Sequence, residues 1–208
     1  MTAAVFQQTS EAITSGFKTV GRGVNLDLAF LSAPQASHLL RVEAVWRELT
    51  SLNSATSFAV REHCGHTLKT ALYHILTVDR RDDPIFPNEG SFFRLSQEFA
   101  GGAGDIGYFK NELEVQANLP VIFDNCVLQS SFQCGLLKRL PSASGDKTLT
   151  IADRYFLGGP MNVRGFDLRG LGPSSENNAL GGIMYWATGT CWLLKKFEKI
   201  ENSQPLVN

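Results

Sequence analysis

No stretch of this chain approaches the ~18 consecutive apolar residues that build a membrane-spanning helix, which removes helical membrane proteins as a class. The opening MTAAVFQQTSEAIT has neither the basic start nor the apolar core of a secretory signal, so Sec-type export is not expected. Charge of one sign is missing too. Nineteen Lys and Arg stand against 20 Asp and Glu for a net charge of -1, and nothing in that balance recruits nucleic acid. Cysteine is scarce: Cys64, Cys126, Cys134 and Cys191 show no paired spacing, which argues against a disulfide scaffold and for a reducing compartment. On one strand Cys126 and Cys134 would stand roughly 27 Å apart, far beyond bridging reach. His63, Cys64 and His66 offer three potential zinc ligands without a second ligand pair at finger-like spacing, so a polar turn is expected there and no cofactor is expected.

These absences leave one membrane class open, because a transmembrane β-barrel needs only tilted strands of about 9 to 11 residues with every second side chain apolar. With 43 % apolar and 19 % charged residues in 208, the chain is too hydrophobic for disorder. Two-residue alternation recurs along it. Val24, Leu26, Leu28 and Phe30 share one face opposite Asn25 and Asp27, and Leu40, Val42, Ala44 and Trp46 oppose Arg41, Glu43 and Arg47. The same pattern predicts strands over Thr56–Arg61, over 67–79, and over Phe93–Phe99, where Arg94 and Glu98 face away from the apolar side. It continues over Phe109–Ala117, opposed by Lys110, Glu112 and Glu114, and over 121–137 as one long segment. Connections alternate between short (63–66, 118–120) and long (79–90), and about forty residues from Lys138 onward hold no convincing strand.

Two architectures use such strands. A soluble β-sandwich binding module turns the apolar faces inward and the charges to water. A membrane barrel turns the apolar faces to lipid and the charges to a hydrated lumen. A third reading rests on Gly102, Gly104 and Gly107, a G-x-G-x-x-G run with Asp124 placed where a ribose-binding acid would stand. A helical stripe of Ile106, Phe109, Leu113 and Ala117 could even follow it. The alternating flanks speak against a parallel nucleotide-binding sheet, and a glycine-rich hairpin turn explains the same residues.

Inside the long loop stands the run from Ile151 to Phe166, IADRYFLGGPMNVRGF. It resembles the signature of the outer-membrane β-barrel assembly superfamily, a V/I-R-G-F/Y loop tip preceded by F-x-L-G-G. Trp46–Leu49, Ser57–Arg61, Phe99–Gly101 and the stretch Leu180–Gly182 with Tyr185–Ala187 are similar to the mitochondrial branch of that superfamily. The resemblance implies an all-β fold, an antiparallel transmembrane β-barrel segment of about nine strands from a sixteen-stranded barrel. It further implies that loop 138–178 enters the lumen with Gly158, Gly159, Pro160, Val163, Arg164, Gly165 and Phe166 as its motif. Glycines suit a backbone packed closely in a lumen, and Arg164 is expected to lock the loop on a lumen-facing carboxylate among Glu43, Glu98, Glu112 and Glu114, with Phe166 as the anchor. Residues 1–189 form the expected barrel portion. Residues 190–208 form a divergent tail, read as a short helix on the stripe of Leu193, Leu194, Phe197 and Ile200. Implied partners are outer-membrane lipid, β-barrel precursor proteins and other subunits of the mitochondrial sorting and assembly machinery. The implied location is the mitochondrial outer membrane, and the implied work is assembly, not enzymatic catalysis.

Overall fold

The computed structural model describes residues 1–122, 126–140, 149–160 and 162–194. Seven strands follow one another as β1 (Thr2–Ala12), β2 (Phe17–Ala33), β3 (Ala36–Ser51), β4 (Gly65–Asp79), β5 (Gly90–Ala100), β6 (Tyr108–Ile122) and β7 (Cys126–Arg139). The signature loop then carries a minimal hairpin, β8 (Ser174–Ser175) and β9 (Asn178–Ala179), before β10 (Met184–Leu194). Each long strand pairs antiparallel with the next, and β10 lies on β7, giving an eight-stranded sheet in the order β1-β2-β3-β4-β5-β6-β7-β10 that does not close on itself. Adjacent strands joined by local connections are the simplest way to satisfy every backbone donor without a crossover.

The alternation decides what each face does. Val24, Leu26, Leu28, Phe30, Val42, Trp46, Leu72, Phe99, Leu136 and Trp186 stand exposed on one face. On the other, registers place opposite charges side by side: Asp27 against Arg41, Arg94 against Glu114, and Glu98 against Lys110. A β-sandwich would cover the apolar face with a second sheet; among the described residues the only other sheet is the four-residue β8–β9 hairpin. Among the described residues nothing supports the soluble reading. The apolar face suits lipid, and the charged face receives the loop. Connections are unequal at the two ends: one end has the two-residue turn 34–35, whereas residues 52–64 and 140–183 lie at the other.

Three local expectations change. Thr56–Arg61 is not a strand, because Phe58–Arg61 forms a single helical turn, α1. Its Val60 is fully buried with Ala12, Phe17, Leu49 and Ile151 under the signature loop, a tertiary packing that period-two counting cannot see. The run 121–137 is not one strand either, since β6 extends through Asn118–Pro120 to Ile122 and β7 starts at Cys126. Pro120 is accommodated beside a register shift at the strand's end, a place where a missing N–H is tolerated. Third, β10 continues past Gly189, with Thr190 opposite Ser130 and Leu193 opposite Val127, so Leu193 and Leu194 are strand and not helix. Eleven ladder positions against β7 outweigh what a solvated turn of helix offers. Phe197 and Ile200 lie outside the described residues. β1, which two-residue alternation does not mark, also belongs to the sheet, its pattern blurred by Gln7, Thr9 and Glu11. The glycine run 101–107 is a connection between antiparallel strands, with β6 as a strand where a nucleotide-binding fold needs a helix, so that reading also fails. Asp124 lies outside the described residues.

Candidate functional site: the docked signature loop

The loop enters the charged face through one tight turn, Ile151–Asp153. Ile151, fully buried, fills the apolar socket made by Ala12, Phe17, Leu49 and Val60. Two residues on, Asp153 meets the wall. Arg47 of β3 grips it bidentately, Nη1 and Nη2 donating to the two carboxylate oxygens at 2.9 and 3.0 Å. Lys69 Nζ of β4 stands 3.6 Å from the same carboxylate and 2.5 Å from Glu98 Oε1 of β5. The Tyr108 hydroxyl of β6 lies 2.6 Å from Glu98 and 3.0 Å from Asp153, within reach of either acceptor. Thr150 Oγ1 donates to Asp153 from the loop itself. Four adjacent strands thus converge on one loop carboxylate, and two cations balance two anions.

This quartet is largely dry, with side-chain exposures of 14 % for Arg47, 2 % for Asp153, 9 % for Lys69 and 11 % for Glu98. Burial opposes the charge on Asp153, yet Arg47 and Lys69, with the hydrogen bonds from Arg47 and Thr150, hold its carboxyl below the usual carboxylate range. Removing one partner of such a group leaves an uncompensated buried charge, which costs about 3–5 kcal/mol. Further contacts extend the docking. Lys110 Nζ sits 4.4 Å over the Tyr155 ring and donates to the Asp153 carbonyl at 3.3 Å, while the Tyr155 hydroxyl donates to Asn111 O at 2.8 Å. At the rim, Arg169 lies 4.2 Å over the Phe156 ring and donates to Ser15 Oγ at 3.1 Å.

The loop's two limbs also bind each other, with Tyr155 and Gly182 exchanging both backbone hydrogen bonds at 2.9 and 2.8 Å. Gly158 has φ +109°, and a Cβ there would lie 2.5 Å from Asp167 O, so the F-x-L-G-G stretch needs glycine at this point. On the wall, a Cβ at Gly135 would stand 2.3 Å from the Tyr185 ring and 2.7 Å from that of Tyr155. That glycine makes the recess in which the two tyrosines pack at a tilt, their ring centroids 4.8 Å apart and their planes at 59°.

Beyond Pro160 the motif leaves the wall. Val163 is partly buried, while Arg164, Gly165 and Phe166 are exposed. Phe166 is therefore not the anchor; Ile151, Tyr155 and Phe156 fill that role. Arg164 faces a cavity of about 500 Å³ with Gln116, Gln129, Gln133, Pro160 and Asn162, and among the described residues it makes no ion pair. Its four expected partners are engaged elsewhere or distant from it. Glu98 is held by Lys69 and Tyr108, Glu112 lies 3.4 Å from Lys110, Glu114 accepts from Gln133 at 3.1 Å, and Glu43 sits between Asn25 and Ala71 in the register. The lock exists with its polarity inverted: the loop supplies the anion and the wall supplies the cations. Alternation puts Arg47 on the charged face and Asp153 lies within the motif run, but nothing in their separation of 106 residues joins them. His63, Cys64 and His66 stay apart as ligands; among the described residues no group of three or more His, Cys, Asp or Glu converges.

The Omp85 superfamily domain matches residues 1–203. The sorting and assembly machinery component 50 homolog of Mus musculus is 40 % identical over 186 residues, covering 89 % of this chain and 38 % of its own length. The human homolog is 39 % identical over the same shares, and the SAM50-like protein of Drosophila melanogaster is 29 % identical over 91 % of this chain and 42 % of its own. The chain therefore spans well under half the length of these relatives. The crystal structure of BamA from Haemophilus ducreyi lacking its first three POTRA domains superposes with a TM-score of 0.77 over 90 % of this chain and 40 % of that one, at 15 % identity, which speaks for the fold. With a family match across nearly its whole length and the signature loop docked on the charged face of an open antiparallel sheet, the chain belongs to the Omp85 superfamily.

Proposed function

We propose that this chain works in the mitochondrial outer membrane as part of the machinery that inserts and assembles β-barrel proteins. The observation that carries the reading is the signature loop held on the charged face of a lipid-facing sheet by Asp153. The names of the similar vertebrate proteins, which refer to a sorting and assembly machinery, supply the biological setting. The work is non-enzymatic. Strands are received by main-chain hydrogen bonding, lipid covers the apolar face, and β-barrel precursors and further subunits of the machinery are the partners. Within this reading the motif Gly158, Gly159, Pro160, Val163, Arg164, Gly165 and Phe166 forms the working tip, with Arg164 as a permanent cation offered to an acceptor in the lumen. The test is import of a radiolabelled barrel precursor into mitochondria depleted of the endogenous barrel subunit and supplied with this chain. Support is a gain in carbonate-resistant, folded precursor that Asp153→Asn abolishes. A chain found entirely in the carbonate-soluble fraction, or integrated without raising precursor assembly, overturns the proposal.

A further inference from the structure

The connection from β4 to β5, residues 80–89, lies at the same end of the sheet as the turn 34–35, to which Asp79 N donates at Gln35 O over 3.0 Å. It prolongs the strand pair, with Arg80 N donating to Ser91 O at 2.9 Å and Asp82 N to Glu89 O at 3.4 Å. The tip beyond that last rung reads Asp83, Pro84, Ile85, Phe86, Pro87, Asn88. Ile85 is 79 % exposed and Phe86 73 %. Neither takes part in docking the signature loop, and neither belongs to the alternation of a strand.

The tip is held in shape by its own side chains. Asp82 Oδ1 accepts from Asn88 N at 2.9 Å and Glu89 N at 3.3 Å, and its Oδ2 accepts from Asn88 Nδ2 at 2.8 Å. Asp83 Oδ1 accepts from Ile85 N at 2.7 Å, and Pro84 and Pro87 fix two further φ angles. On the charged side, Arg81 grips Asp79 through Nε and Nη2 at 2.9 and 2.7 Å, reaches Pro84 O at 3.4 Å and lies 4.7 Å over the Phe92 ring. A guanidinium thus fills that flank of the hairpin. Two large apolar side chains displayed by a preformed turn mark a contact surface.

The height of the tip says what it touches. Among the lipid-side positions of β4 and its extension, Arg80 is the first to carry a full charge, after Leu72, Leu76 and Val78, so the hydrocarbon boundary falls near it. The rung of Asp82 and Glu89 is two residues further, which at about 3.3 Å per residue and a tilt of about 40° raises it about 5 Å above that boundary. The headgroup layer is about 5–7 Å deep on each side of a bilayer. We propose that the 80–89 hairpin is an interfacial anchor, seating Ile85 and Phe86 in the lipid headgroup layer at this end of the sheet. Apolar contact drives the seating. Arg80 and Arg81 are outnumbered by Asp79, Asp82, Asp83 and Glu89, so anionic lipid gains no attraction. An insertion this shallow suits the boundary between headgroups and acyl chains. It fixes the height of β4 and β5, the strands that carry Lys69 and Glu98 to the signature loop.

The test is electron paramagnetic resonance on the full chain in phosphatidylcholine vesicles, with a nitroxide on Ile85→Cys. The background carries Cys64→Ser, Cys134→Ser, Cys191→Ser and, at the buried position, Cys126→Ala. Labels on Leu72→Cys and on exposed Glu62→Cys are the lipid and water references. The Leu72 label tests separately the lipid-facing reading on which the anchor rests. Collision with a water-soluble nickel chelate should be at least about threefold lower at Ile85 than at Glu62, and adding about 30 % phosphatidylserine should not change it. Should the cysteine-free background fail to fold, p-benzoylphenylalanine in place of Phe86 in the otherwise unaltered chain decides: ultraviolet light should yield a phospholipid adduct visible by mass. An Ile85 label as open to nickel as the Glu62 label while Leu72 is immersed overturns the anchor alone; an open Leu72 label overturns the lipid-facing reading with it. Immersion that requires phosphatidylserine, or a cross-link from position 86 to protein in place of lipid, also overturns the proposal.

Discussion

Asp153 is the residue on which the loop turns. Asn at this position keeps the shape and removes the charge, leaving Arg47 and Lys69 buried against a neutral amide, so loop docking should lose about 3–5 kcal/mol. Limited proteolysis of reconstituted protein measures this as new cleavage within residues 149–183, whereas Arg164→Ala, a change at an exposed tip without an ion pair among the described residues, should leave the cleavage pattern as in wild type. Acid should imitate Asp153→Asn. The folded carboxyl lies below its unfolded value near 3.9, so its contribution is complete above about pH 4 and is lost as pH falls through the lower folded value. Protease resistance of the loop should therefore stay constant from neutrality to about pH 4 and fall below it, and the Asp153→Asn protein should show no such transition. Arg47 and Asp153 were both visible as charges in the sequence. Their partnership was not, because a contact across 106 residues depends on how far the loop folds back over β3 and β4.

At the level of elements, the recess at Gly135 makes a sharper test than any single contact. Gly135→Ala puts a methyl group into the Tyr155 and Tyr185 rings, and overpacking of this kind costs about 1–3 kcal/mol. Thermal unfolding in detergent, followed by the heat-dependent gel mobility of folded sheet, should fall accordingly; an unchanged midpoint would mean that the tyrosine pair shifts freely. Most long strands were legible because Leu40, Val42 and Trp46, or Glu112 and Glu114, repeat with a period of two that only an extended chain produces. Elements were misread where that period arose for another reason. Phe58 and Val60 alternate by accident within a helical turn whose place is set by the socket above it. Leu193 and Leu194 fit a helical spacing equally well until β7 supplies an edge to pair with.

For the whole molecule, the two faces should respond to charge in opposite ways. Arg in place of Leu72 on the lipid side should cost about 2–4 kcal/mol near the bilayer midplane and shift the protein toward the carbonate-soluble fraction. Arg in place of Ser96, which points to the charged face between His74's neighbour Ile75 and Glu112 in the register, should leave membrane integration intact. Equal extraction of the two variants would mean that the faces had been assigned the wrong way round. An open sheet with this much exposed apolar surface should also aggregate when detergent is removed, read as loss of the monomer peak on size exclusion.

What the sequence determined by itself was the chemistry of each face and the presence of a signature loop. Both follow from local order: a period of two sorts side chains to alternate sides of any strand, and the run from Tyr155 to Phe166 is contiguous in the chain. The tertiary structure decided which way the loop is locked, which aromatic residues anchor it, and that α1 sits under it. Those outcomes rest on the register of the four strands β3 to β6, which brings Arg47, Lys69, Glu98 and Tyr108 to one point on the wall. Only when that point exists can a buried carboxylate be placed there at a net gain, and Asp153 is the loop residue that reaches it.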